Sequence, residues 1–283
     1  MHTSTGPDFL SLPARASKPR RSGFTHVLDK GLSLVALESL VETAGDYVDF
    51  VKLGWGTAYV AGGVRAKVAV CQDAGINVCL GGTLSEIVAS QRKVDEYVRW
   101  MHRLGLEYVE VSNGALGMPT ERKQALIREL SGEFRVISEV GSKSPAEPVV
   151  PSRWVAEMVA DVRAGASLVM AEGRESGTVG LFGPTGEVNA DLVESVVAAV
   201  PVDLLIFEAP RREQQAWFIR RLGADVNLGN IAPDELLSLE TLRRGLRADT
   251  LDLLPSPDGE SPAAAGPGHV HRPSAGRPAA GQR

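Results

Sequence analysis

Several short apolar runs in this chain end abruptly in a charged or amide residue of a type that does chemistry. In order, the run ends are Asp29 and Lys30, Lys52, Glu110, Glu139 followed by Lys143, Glu172 followed by Arg174, Glu208, and Asn227 with Asn230. No hydrophobic reason calls for a carboxylate directly after Val136-Ile137-Ser138. The converging carboxylates Glu110, Glu139, Glu172 and Glu208 are hard oxygen donors, suited to Mg²⁺ that keeps several of its waters. The cationic set Lys30, Lys52, Lys143 and Arg174 suits an anionic substrate. Arginine grips phosphate or carboxylate at two points, whereas lysine acts as a point charge or a proton donor. A metal, carboxylates and a lysine are together the parts that stabilise an enolate and move the proton at the carbon beside its carboxylate.

Two glycine-bearing stretches could cradle a phosphate through backbone N–H groups: the loop 177–186 and the turn Leu228-Gly229-Asn230. Simple tight turning is the competing reading of both. A zinc site is not expected. His26 stands at the start of its apolar run rather than the end, and Cys71 and Cys79 sit among apolar residues as free thiols do. His269 and His271 lack an acidic or cysteine partner nearby.

These run ends share one geometry because of the elements between them. Eight β-branched runs alternate with eight segments of helical periodicity, each long enough for a parallel crossover. The runs are centred on Val27, Val51, Val78, Val109, Ile137, Val169, Ile206 and Val226, the last two predicted as Asp203–Phe207 and Asp225–Leu228. Thr83 stands at capping-box spacing from Glu86 and is predicted to cap one long helix ending at Leu104. Ser152 and Asn189 are predicted to cap two later helices. The pattern predicts an α/β protein built as a single (β/α)8 TIM-type barrel, for which ~250 residues is the usual length. An open doubly wound sheet is disfavoured because its glycine fingerprint is missing after the first strand, where Asp-Lys-Gly stands instead. In a barrel, strand ends of this kind meet at one face, the face that carries active sites. The bland alternative is a salt-bridge ring closing the top of the barrel.

Composition narrows the rest. The chain has 283 residues, 43% hydrophobic and 23% charged, with a formal net charge of −5. That balance gives no polyanion-binding surface, so nucleic acid is not an expected partner. No apolar run approaches the ~20 residues of a membrane span, so no membrane is expected. Residues 1–22, rich in Pro, Ser and Arg, read as a disordered leader; 23–248 form the barrel; 249–283 read as a disordered Pro/Gly/Ala-rich tail. The free thiols suit a reducing, cytoplasmic setting.

At the strand ends the sequence resembles the phosphosulfolactate synthases. The segments that carry the resemblance are LDKG (28–31), KLGWGT (52–57), GGTLSE (81–86), VEVSNG (109–114), SEVGSK (138–143), EGRESG (172–177), FEAP (207–210) and VNLGNI (226–231). The resemblance implies a barrel enzyme, a lyase-type synthase, that adds sulfite to phosphoenolpyruvate with Mg²⁺ and passes through an enolate-like species. It implies Lys143 as the acid that protonates C2, with Glu110, Glu139, Glu172 and Glu208 as the pool of metal ligands. Lys30, Lys52, Arg174, Asn227, Gly229 and Asn230 are the expected substrate-binding set. The expected partners are small anions and, in a homo-oligomer, further copies of the chain. Relatives linked to heat stress keep open a second reading, a barrel without catalysis acting as an interaction protein. Use of another small nucleophile is a third.

Overall fold

The computed structural model describes residues 9–141 and 148–255. Eight strands, all parallel, form a nearly closed barrel. They are β1 (Thr25–Asp29), β2 (Phe50–Leu53), β3 (Asn77–Leu80), β4 (Tyr108–Val111), β5 (Arg135–Val140), β6 (Ala166–Ala171), β7 (Leu205–Glu208) and β8 (Leu228–Ile231). Hydrogen-bonded neighbours run β3-β2-β1-β8-β7-β6-β5-β4. The helices are α1 (Leu34–Ala44), α2 (Thr57–Val60), α3 (Val64–Asp73), α4 (Gly82–Ser90), α5 (Val94–Leu104), α6 (Thr120–Leu130), α7 (Pro151–Ala164), α8 (Ala190–Ala199), α9 (Arg212–Leu222) and α10 (Leu236–Arg243). Among the described residues no helix is long and apolar enough to cross a membrane.

Side chains alternate across each strand, so the residue two beyond an inward apolar one also points inward. Phe50, Cys79, Tyr108, Ile137, Leu168, Met170 and Ile206 form the barrel's own apolar cluster, closed below by Phe24. Two positions further on stand Lys52, Glu110, Glu139, Glu172 and Glu208. The charged run ends are therefore the next layer of the same inward-facing rows. The outward rows, such as Val109, Val111, Val136 and Val140, pack against the helices in a second, larger cluster.

Between β3 and β4 no strand ladder is formed among the described residues, so the barrel has a seam there. Side chains stitch it. The Gly82 N–H, at the start of α4, donates to Glu110 Oε1 on β4 at 2.6 Å. Glu86, a turn later, accepts from the Ser112 hydroxyl and from the amides of Ala115 and Leu116.

That stitching corrects the expectation for Thr83 and Glu86. The helix starts at Gly82 without any side-chain cap, because a carboxylate from across the seam takes its first amide. The single long helix expected there is two, broken at Arg92, which has a positive φ of 56°. Helical spacing continues in phase across the break, so periodicity does not reveal it. Ser152 lies inside α7, which opens on Pro151 after Val150. Asn189 does cap α8, accepting from the Leu192 amide.

The leader and tail boundaries also shift. Residues 9–22 were expected to be disordered, yet Arg15, Lys18 and Arg20 hold the closed end of the barrel. Arg15 bonds Glu240 at 3.0 Å, Lys18 reaches Gly45 O at 2.7 Å, and Arg20 bonds Asp49 at 3.0 Å. Basic residues read as solvated are in fact drawn to buried carboxylates and helix-end carbonyls. At the other end, residues Ala248–Leu253 form a 3₁₀ turn that buries Thr250.

Candidate active site

The inward charged layer lies under a cavity of about 510 Å³ at the carboxyl ends of the strands. Lys52 is its centre. Its Nζ lies 3.2 Å from Glu110 Oε2, 3.2 Å from Glu208 Oε1 and 3.9 Å from Glu139 Oε2. Burial pulls the ammonium down, but Glu110, Glu208 and Glu139 outweigh it and hold it well above its ordinary value. Burial pushes the Glu110 carboxyl up to about 7, against the pull of Lys52. Glu110 therefore changes charge near neutrality, which an exposed glutamate does not.

On the β6–β7 side, Glu208 Oε2 accepts from the amides of Gly173 and Arg174, each at 3.0 Å. The Arg174 amide also donates to Glu172 Oε1 at 2.7 Å. Arg174 itself takes a left-handed φ of 52° there. Asn230 on β8 also has a left-handed φ, 55°, and its Oδ1 is buried without a hydrogen-bond partner among the described residues. An orphaned amide oxygen beside a cavity is the kind of group a ligand satisfies.

Below this layer His26 and Cys79 touch, Nε2 to Sγ, at 3.7 Å. With Glu110 they form the one triplet among the described residues whose ligand atoms lie within 4.8 Å of one another. Burial holds His26 well below the usual histidine range and pushes the Cys79 thiol up, which leaves both neutral.

Of the residues expected at the site, Lys52, Glu110, Glu139, Glu172, Arg174, Glu208 and Asn230 all line the one cavity. Lys143 lies outside the described residues. Lys30 is at the rim, with a half-exposed side chain paired to Glu175 at 3.5 Å. Asn227 is a correction: strand β8 starts one residue after it, so it lies at the opposite end of the barrel. There it accepts from the Phe24 amide and donates to the carbonyls of Asp203 and Leu205. The register error arose because Asp225–Val226 looks like a strand start, although the ladder begins at Leu228.

Gly229 is a second correction, lying within β8 rather than in a turn. A Cβ there would come within 3.0 Å of Ile206 Cγ2, so its smallness lets the strand pack against the barrel interior. In the loop 177–186 glycine also serves close approach, since a Cβ at Gly180 would lie 2.1 Å from Glu172 O. Gln214 fastens the loop by donating to the carbonyls of Gly177 and Gly186. Asp29 is a strand-end charge with a structural task, receiving the amides of Gly31 and Leu32 and the Lys67 ammonium.

Sequence reasoning missed Trp55, which lines the cavity, and Lys123, which is fully buried. Lys123 Nζ bonds Glu139 O at 2.6 Å, Glu157 at 2.8 Å and Asp161 at 2.8 Å, tying the end of β5 to α7. A buried lysine facing helix acids would have been visible only with the fold in hand. The GWG triplet was a signal: a bulky residue between two glycines.

Residues 13–249 match the family described as (2R)-phospho-3-sulfolactate synthase (ComA). A phosphosulfolactate synthase of Methanothermobacter thermautotrophicus is 44% identical over 250 residues, covering 86% of this chain and 96% of that protein. One from Bacillus subtilis is 41% identical, covering 86% and 98%. Among solved structures, a 3-hexulose-6-phosphate synthase superposes with a TM-score of 0.51 at 14% identity, covering 77% of this chain and 97% of that one. That likeness concerns the fold alone.

Proposed function

The chain belongs to the (2R)-phospho-3-sulfolactate synthase (ComA) family, and from that premise we propose that it adds sulfite to phosphoenolpyruvate, giving phosphosulfolactate. The observation that carries this reading is the buried layer of one lysine and four glutamates beneath an open cavity. Such a layer is costly as a mere closure of the barrel, because taking charges out of water is expensive even when they are paired. Lys52 faces three of these carboxylates, Glu110, Glu139 and Glu208.

The donor set fits Mg²⁺. Glu110, Glu139, Glu172 and Glu208 offer hard oxygen donors, and Asn230 Oδ1 is a buried amide oxygen without a hydrogen bond among the described residues. Glu110, Glu139 and Glu208 surround Lys52, and among the described residues the glutamates do not bring three oxygens within 4.8 Å of one another. The arrangement suits an ion held by one or two carboxylates through retained waters. When bound, Mg²⁺ supplies electrostatic stabilisation of the charge that develops on the substrate carboxylate.

The protein's own residues do the rest. Lys52 locks three glutamates in place and keeps a positive charge at the cavity floor. Arg174, at the cavity wall, offers two-point binding to the phosphate or carboxylate. The sulfur lone pair of sulfite forms a bond to C3 while the C2–C3 π electrons move toward the carboxylate. Lys143 then delivers a proton to C2, completing the addition without a leaving group.

The test is incubation with phosphoenolpyruvate, sulfite and Mg²⁺, following the loss of enol absorbance. Turnover that is abolished in Lys143→Ala is the expected result. A folded protein that consumes no phosphoenolpyruvate with sulfite, and whose binding of phosphoenolpyruvate Lys143→Ala leaves unchanged, would overturn the reading. Turnover with a different nucleophile would keep the mechanism and change the product.

A further inference from the structure

We propose that Trp55 is a specificity-determining residue whose indole closes the mouth of the cavity over a three-carbon acid; this rests on the function proposed above. Four described residues other than glycine have a left-handed backbone: Trp55 (φ 50°), Arg92 (56°), Arg174 (52°) and Asn230 (55°). Arg92 marks the break between α4 and α5. The other three, following β2 and β6 and on β8, line the same cavity. Strained backbone persists where the surroundings enforce it, and it gathers at ligand sites. For Asn the left-handed region is a familiar choice; for Trp it is not.

Two glycines show what enforces it. A Cβ at Gly54 would lie 2.9 Å from Leu28 Cδ1 and 3.2 Å from Asp29 O. A Cβ at Gly81 would lie 2.5 Å from the Trp55 nitrogen and 3.2 Å from its Cα. The turn carrying Trp55 is thus pressed between the ends of β1 and β3, with glycine at each point of closest approach. A surface tryptophan without a task needs neither the strain nor the two glycines.

The chemistry of the lining says what that task is. Among the described lining residues Trp55 is the only aromatic, and Leu28 is the only other large apolar one. The glutamates of the floor are buried to within a few per cent, whereas Trp55 is 42% exposed and so stands on the solvent side. A planar conjugated acid has polar edges for the floor and an apolar face, and Trp55 is the one flat apolar surface offered to that face. An indole held rigidly at the mouth also limits how far a substrate can extend from the floor.

The experiment compares phosphoenolpyruvate with its C3-methyl homologue, phosphoenolbutyrate, in wild type, Trp55→Phe and Trp55→Ala. Binding of each with Mg²⁺ is measured by calorimetry, and kcat/KM with sulfite as nucleophile. Wild type and Trp55→Phe should favour phosphoenolpyruvate. Trp55→Ala should lose at least about tenfold of that preference, the usual weight of one methyl group against a packed wall. Trp55→Gly, which accepts the left-handed backbone without strain, should fold and show the same loss. An unchanged ratio in both small variants overturns the proposal. If wild type binds phosphoenolpyruvate but does not turn it over with sulfite, the proposed reaction falls, and Trp55 is judged on the binding ratio. If wild type binds neither anion, both readings fall.

Discussion

Both ends of this barrel bury charge, and they do so in different ways. At the amino end of the strands each charge is closed off, by backbone groups and by pairs such as Arg15–Glu240 and Arg20–Asp49. Arg243 is fully buried and donates to the carbonyls of Ala224, Val226 and Phe24 at 2.5, 2.7 and 3.1 Å. Burial pulls that guanidinium down to about 9, still charged at neutral pH. Arg15 reaches Gly23 O at 2.7 Å, and Asp49 takes the Thr25 amide at 2.9 Å. At the carboxyl end the floor charges chiefly face each other around open space, one lysine among glutamates. The first arrangement closes a barrel and the second leaves capacity for a ligand. The same division of labour is general for this fold.

Four experiments test the division. Arg243→Ala strands three carbonyls and leaves a large void, so unfolding free energy in urea should fall by about 3–5 kcal/mol. The kcat of the molecules that remain folded should not change. Lys52→Met removes the cation that organises the glutamates, and turnover should drop about 10²–10³-fold, the usual weight of one preorganised electrostatic group. A loss of stability from Lys52→Met as large as that from Arg243→Ala would break the comparison.

The two asparagines of β8 give a finer test, since Asn227 and Asn230 lie at opposite ends of one strand. Asn227→Ala should cost about 1–3 kcal/mol of stability by abandoning buried backbone groups, with activity intact. Asn230→Ala should leave the urea midpoint nearly unchanged and weaken binding of phosphoenolpyruvate with Mg²⁺. The last effect is a slope with pH. Glu110 has its folded value raised from 4.5 to about 7, so its contribution to stability is fully present below pH 4.5 and is lost as pH rises through 7. In metal-free buffer, wild type should therefore lose stability relative to Glu110→Gln across that window. Parallel curves would show that Glu110 does not titrate there.

Much of this was legible in the sequence because strand alternation is rigid. Once Ile137 faces inward, Glu139 must as well, and the same holds for Tyr108 with Glu110 and Ile206 with Glu208. The sequence therefore gathers the glutamates at one face of the barrel, and alternation makes them one inward layer there. What failed was register and long-range partnering. One misjudged strand start sent Asn227 to the wrong end of the barrel, and Asn230, expected in the following turn, lies within β8 although it does line the cavity. Thr83 read as a helix cap paired with Glu86 because local spacing cannot see Ser112 and Leu116, which Glu86 binds across the seam. The leader's arginines read as solvated because their partners, Asp49 and Glu240, are far away in the chain. Trp55 went unnoticed since its significance lies in a backbone angle.

The seam between β3 and β4 has one more consequence. The barrel is a ribbon of strands whose two free edges are latched partly by Glu110, through the Gly82 amide, and not by a ladder. Glu110 also belongs to the cavity floor. A change in the charge of this carboxylate would therefore also act on the latch. Amide hydrogen exchange along β3 and β4 is where a change at this carboxylate would register.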